Sequence, residues 1–166
     1  MEDPTFTFAA FALIHDDLGR FLFKSRTDLD LWDLPGGRCE KEDFYTGSDY
    51  DRACLFREVS EELGRPGEDL IEIVDVVGLY QTDAVTSNVQ SISKTYLCRL
   101  RDGVSPKTND EAREFGWFTP DQLPDNVFRP HAVMVSDVVF WSNVIHPLGL
   151  NITRDLRGLS EAHRRA

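Results

Sequence analysis

Leu34-Pro35-Gly36-Gly37, followed by Arg57-Glu58-Val59-Ser60-Glu61-Glu62-Leu63-Gly64, is the stretch on which the reading of the whole chain turns. From Ser48 to Leu63 the pattern is that of one amphipathic helix. Residues three and four apart stack on one helical face, so Phe56, Val59 and Leu63 share a stripe that faces a core. Glu58, Glu61 and Glu62 fall on the opposite side, within about 100° of arc. Ser48, with Asp51 three residues on, reads as the capped start of the helix. Gly64 reads as the left-handed residue that ends it. Three carboxylates gathered on a rigid surface beside a glycine turn form an arrangement for holding a divalent metal. The same face is also what solvent alone selects on a helix. Its like-charge pairs cost only about 0.2–0.5 kcal/mol each, so energetics alone demand no cation.

The surrounding residues shift that balance. Arg57 precedes the cluster and can pair with Glu61 one turn on, and Pro35-Gly36-Gly37 makes a tight approach to the helix. Taken together, Trp32 to Gly37 and Arg57, Glu58, Val59, Glu61, Glu62 and Gly64 resemble the Nudix box, the signature of the Nudix hydrolase superfamily. The resemblance runs from about Thr5 to Trp141. Two departures stand out. Six residues are inserted between Gly37 and Arg57, and the first box glutamate is replaced by an aspartate. Asp43 stands at the right distance from Gly37 and Asp49 at the right distance from Arg57. Asp49 is favoured, because the helix itself fixes its place, which puts the inserted loop at Glu40 to Thr46.

The resemblance implies an α/β fold, an α/β/α sandwich with a mixed sheet between helices, and a single domain over residues 1–150 with a polar tail over 151–166. It implies a metal-dependent pyrophosphohydrolase cleaving a nucleoside diphosphate linked to another moiety. Arg57, Glu58, Glu61, Glu62 and Asp49 would carry catalysis. Gly37 (through its carbonyl), Glu58, Glu61, Glu62 and Glu111 would hold Mg²⁺ or Mn²⁺, the cations that hard oxygen ligands select. Such ions neutralise clustered phosphate charge, orient its oxygens and activate water. Glu111 best matches the late glutamate of the family and Glu114 is the fallback. Arg26, Arg38 and Tyr80 are the candidate substrate contacts, although an exposed strand end, a solvated arginine and simple sheet packing account for them as well. The rival reading is a catalytically inactive Nudix-fold ligand-binding or sensor domain.

Composition bounds these expectations. With 166 residues, 41% hydrophobic and 28% charged, the chain can bury a full core as one domain. A net charge of −11 disfavours duplex nucleic acid and anionic membranes. It also disfavours an anionic small substrate unless a cation stands between. No apolar run reaches the roughly 20 residues that span a membrane. Cys39, Cys54 and Cys98 form no metal-ligand spacing in sequence and leave an odd thiol, which with an acidic N-terminus suggests a reducing, cytoplasmic setting.

Along the chain, Thr5–His15 and Arg20–Arg26 read as a hairpin closed by Asp16-Asp17-Leu18-Gly19. Strands follow over Leu70–Thr82 and Gln90–Leu100, with Asp83–Val89 as a polar connection. Thr119–Leu123 reads as opening a short helix, and Pro130–Ile145 as a packing helix with a stripe of Val133, Val138, Phe140 and Trp141.

Overall fold

The computed structural model describes residues 6–83 and 90–145. Seven strands and three helices run in the order β1 (Phe6–Ile14), β2 (Phe21–Arg26), β3 (Trp32–Asp33), β4 (Gly36–Arg38), α1 (Tyr50–Leu63), α2 (Gly67–Leu70), β5 (Ile71–Asp83), β6 (Gln90–Leu100), β7 (Ala112–Phe118) and α3 (Arg129–Ile145). A 3₁₀ segment, Asp43–Asp49, leads into α1 and is kinked at Gly47, whose φ is 77°.

The main sheet has the order β4-β1-β6-β5 and a smaller antiparallel one the order β3-β2-β7. In the main sheet β1 runs parallel to β6 and antiparallel to β4, while β5 and β6 are antiparallel. A parallel pair needs a long crossover, and the chain from β1 to β6 supplies it with α1 inside. Successive strand residues point to opposite faces, which divides the core. Ala10, Ala12, Ile14, Tyr96 and Cys98 pack with Cys54, Leu55, Val59 and Leu63 of α1. Leu13, Phe21, Phe23 and Leu97 pack with Met134, Val135, Val138 and Val139 of α3. The result is the expected sandwich, a mixed sheet covered by a helix on each side.

Several local expectations give way. β1 and β2 do not form a continuous hairpin, because they belong to different sheets and meet at the His15–Phe21 bridge and the Asp16–Arg20 turn, where the Asp16 amide donates to the Arg20 carbonyl at 3.0 Å. The reason is burial: Phe21, Leu22 and Phe23 are all fully enclosed, so β2 must be covered on both faces and sits between β3 and β7. α1 starts at Tyr50, two residues later than expected, with no side-chain cap. Asp51 instead turns inward to Lys94 Nζ and to the Tyr96 hydroxyl, the latter at 2.7 Å. Its other end behaves as expected, with Gly64 at φ 77° donating its amide to Ser60. Residues 119–123 form only a turn, closed by the Gln122 amide on the Thr119 carbonyl at 3.0 Å. On α3 the buried stripe is Met134, Val135, Val138 and Val139, while Val133 and Phe140 are exposed. The expected polar connection beyond Asp83 and the tail over 151–166 lie outside the described residues.

Candidate metal centre

Helix α1 faces the diglycine turn along one line of residues four apart: Cys54, Glu58 and Glu62. The turn runs past them in the opposite sense. The Gly36 amide donates to Glu62 Oε2 at 2.8 Å, Gly37 lies against the Glu58 carboxylate, and the Cys54 thiol faces the Gly37 carbonyl at 3.7 Å. Both glycines are required by this approach. A Cβ on Gly37 would stand 2.3 Å from Glu58 Oε2, in the space the carboxylate occupies. Gly36 has φ 129°, where side chains are strained, and a Cβ there would sit 2.2 Å from the Ala10 carbonyl oxygen.

Glu58, Glu62, Glu111, Gly36 and Gly37 line one cavity of about 410 Å³ together with Lys24, Arg26, Thr27 and Asp28. Four carboxylates and two basic groups leave two formal negative charges in excess, the amount one divalent cation neutralises. Glu62 is almost wholly enclosed, and burial pushes its carboxyl up to about 8 while the ammonium of Lys24, 2.5 Å away, pulls it back. Burial also raises Glu58, with Arg57 opposing. Lys24 is itself buried, within 3.5 Å of Asp33, and its carboxylate partners hold it above the usual lysine range against the opposing effect of burial. Arg26 spans Asp28 at 2.7 Å and Asp33 at 3.4 Å, so its guanidinium is fixed at the cavity wall.

Arg57 is the hub of the loop. Its fork meets Asp43 at 3.0 and 3.2 Å, and it also reaches Glu58, Glu61 and the Arg38 carbonyl at 3.0, 3.1 and 2.9 Å. Such two-pronged pairing fixes orientation as well as charge. It holds Asp43 below the ordinary aspartate range despite burial.

The structure sorts the expected site residues. Glu58, Glu62, Glu111, Gly37 and Arg26 come together around the cavity. Glu61 does not. One residue off the facing line, it is half exposed and turned to Arg57. Asp49, expected to orient the loop, is exposed and makes no capping bond, whereas Asp43 takes the place beside Arg57. The extra residues therefore follow Asp43, forming the kinked segment up to Asp49, rather than preceding it. Arg38 is exposed and lines a separate cavity with Cys39 and Glu40. Tyr80 packs among the residues around α3 and bonds to Asp137, which together with burial raises its phenol. Glu114, the fallback, lies exposed on β7 opposite Ser25.

Two contributors escape sequence reading. Lys24 alternates with buried phenylalanines and so reads as an outward charge, yet it points inward because its strand is covered on both faces. Asn109 donates to the Glu62 carbonyl at 2.9 Å and accepts from the Glu111 amide at 2.9 Å. It thereby satisfies a helix-end carbonyl and ties Glu111 to α1. An asparagine in a turn-rich loop is the only signal it leaves.

Known proteins share the fold that carries this cavity. The NUDIX domain family model matches residues 5–138. A "MutT-like protein" of Streptomyces ambofaciens is 28% identical over 122 residues, 73% of this chain and 69% of that one. The MutT NUDIX hydrolase of Burkholderia pseudomallei superposes with a TM-score of 0.62 at 21% identity, over 81% of this chain and 98% of its own. An Ap4A hydrolase of C. elegans, solved as a binary complex, gives 0.64 at 16% identity, over 81% and 96%. Among the described residues no helix is long and apolar enough to cross a membrane. With the matched region running from β1 through the diglycine seam and α1 into α3, the chain belongs to the NUDIX domain family.

Proposed function

We propose that the protein is a divalent-metal-dependent hydrolase of the phosphoric anhydride bond in a nucleoside diphosphate linked to another group. The observation that carries this reading is the single cavity in which Glu58, Glu62, Glu111 and the Gly37 backbone converge beside Arg26. The donor set fits the cation the family implies: oxygen ligands from three carboxylates and a carbonyl, in a formally negative site, suit Mg²⁺ or Mn²⁺. Gly37, bare of a Cβ where Glu58 lies, lets that carboxylate pack against the turn.

When bound, the ion would neutralise and orient the diphosphate. The chain's own residues do the rest. Arg26, clamped by Asp28 and Asp33, offers the substrate's phosphate a fixed guanidinium. Glu58, raised by burial, is the candidate general base and would take a water proton at its carboxylate. Arg57 steadies Glu58 and, through Asp43, holds the loop in register with the helix. Lys24 compensates Glu62 and keeps that carboxylate aimed at the turn. Family membership favours nucleotide-type substrates, cytoplasmic action follows from the expected reducing setting, and the polar tail over 151–166 is proposed to lie outside the catalytic unit.

One observation favours the sensor reading: Lys24 already neutralises a carboxylate that a metal would use. A panel of nucleoside diphosphate derivatives and dinucleoside polyphosphates, incubated with Mg²⁺ or Mn²⁺ and read by phosphate release, decides between them. Hydrolysis that vanishes with chelator is the expected result. Tight ligand binding without turnover across the panel would replace the enzyme by the sensor.

A further inference from the structure

One turn beyond Glu58, at the far end of the same helical line, the donors change character. Cys39, Asp43 and Cys54 are all buried, and their sulfur and carboxylate oxygen atoms lie within 4.8 Å of one another. The Gly37 carbonyl faces the same point through Cys54 Sγ at 3.7 Å. Cys39 also borders a cavity of about 470 Å³ shared with Arg38, Glu40 and Lys41, which gives an ion a way in from the surface. The two cysteines are fifteen positions apart in sequence, just past the end of β4 and on α1, so no ligand spacing betrays them.

We propose that Cys39, Asp43 and Cys54 form a second metal site, for a thiophilic divalent cation such as Zn²⁺. Two sulfurs and a carboxylate oxygen are the donor set of a borderline-soft ion, whereas the all-oxygen cavity next to it suits a hard one. Each thiol gives its proton to solvent as its sulfur–metal bond forms, and the reaction needs no oxidant. Two thiolates and Asp43 then carry three negative charges, balanced by the ion and by Arg57, which already contacts Asp43 at 3.0 Å. Water completes the coordination. Occupancy cross-links the end of β4, the inserted 3₁₀ segment and α1, the three pieces that place the diglycine turn. A carboxylate oxygen within 4.8 Å of both sulfurs adds a third ligand atom, which a metal uses and a disulfide does not.

The site is tested on reduced, chelator-treated full-length protein titrated with Co²⁺, whose thiolate complexes absorb strongly in the near ultraviolet. One equivalent should produce the sulfur-to-cobalt band, Zn²⁺ should abolish it by displacement, and excess Mg²⁺ or Mn²⁺ should not. Cys39→Ser and Cys54→Ser should lose the band, Cys98→Ser should keep it, and Asp43→Asn should weaken Co²⁺ binding by about tenfold or more. Because a cysteine variant can fail to fold, wild-type protein supplies a second readout: Zn²⁺, but not Mg²⁺, should slow alkylation of Cys39 by about tenfold. No band with wild-type protein, a band that survives in both cysteine variants, or alkylation indifferent to Zn²⁺ would overturn the assignment. None of these readouts depends on hydrolysis.

Discussion

Helices α1 and α3 cover the same sheet from opposite sides, and they grip the same four-residue turn. From α1, Glu62 accepts the Gly36 amide at 2.8 Å. From α3, His131 Nδ1 accepts the Leu34 amide at 3.0 Å. The helices differ in what else they bury. α3 offers Met134, Val135, Val138 and Val139, whereas α1 alternates Leu55, Val59 and Leu63 with the facing line of Cys54, Glu58 and Glu62. A buried apolar group needs no partner, while a buried carboxylate must be hydrogen-bonded or ion-paired. α1 therefore depends on glycine amides, Lys24 and Arg57 to stay in place. The proposed chemistry draws on the helix whose burial is conditional, while the apolar stripe of the other needs no partner.

The sharpest way to break that contrast is to neutralise α1's acids. Glu58→Gln and Glu62→Gln are each expected to cut phosphate release by at least about 100-fold, with the circular-dichroism spectrum unchanged. Glu62→Gln should also lower the melting midpoint, because Lys24 is left with only Asp33, 3.5 Å away. Near-wild-type turnover in either variant would remove α1 from the chemistry.

The converse holds on α3. Met134 is fully enclosed, so Met134→Ala leaves a cavity and should cost about 2–5 kcal/mol of unfolding free energy. Measured well below its melting midpoint, the variant should keep its turnover per folded molecule. A loss of turnover without a loss of stability would mean that α3 also shapes the cavity.

What the sequence disclosed follows the same line. Periodicity found α1 and β6, since apolar spacing and strand alternation are local patterns; the sandwich came from the resemblance. The resemblance also grouped Glu58, Glu62, Glu111 and Gly37, which line one cavity. Helical spacing does not separate Glu61 from Glu62, because a step of about 100° between neighbours divides a cavity-lining side chain from one turned to Arg57, and an arc of that width includes both. Asp43 lost to Asp49 because spacing from the helix was preferred to spacing from the glycine; the inserted residues coil into a 3₁₀ kink after Asp43, so the distance that survives is the one from Gly37. Lys24 was illegible, since β2's second cover comes from another sheet that no local pattern announces.

The His131 grip can be sharpened through pH. Burial, followed by the charges of Lys24 and Arg26, depresses this imidazole to about 3, so it is neutral in the folded protein. The unfolded chain binds a proton near pH 6.5 and the folded one does not until far lower. The stability His131 contributes is thus present above pH 6.5 and is lost as pH falls toward 3, at up to about 1.4 kcal/mol per pH unit from this group. Between pH 6.5 and 5 His131 gives the melting midpoint a downward slope on acidification, set against the opposite contribution of Glu62, whose carboxyl is raised to about 8. His131→Asn, which keeps an acceptor for Leu34 but cannot titrate, should flatten that slope. An unchanged slope would assign the pH dependence to other groups.

Glu61 gives the smallest expected effect and the finest test. It is paired with Arg57 at 3.1 Å with its side chain 46% exposed, and an exposed pair of this spacing is worth about 0.3–0.5 kcal/mol. Glu61→Gln should therefore leave stability nearly unchanged and alter turnover by no more than about twofold, the rate equivalent of that energy. Arg57 retains Asp43 and Glu58, so the loop stays in register without it. Measuring Mn²⁺ affinity beside turnover separates the two neighbours on the helix: Glu62→Gln should weaken the ion's binding and Glu61→Gln should not. If Glu61→Gln instead matches Glu62→Gln in both, the carboxylate swings into the cavity when the ion arrives, and the line through residues 54, 58 and 62 is too narrow a description of the site.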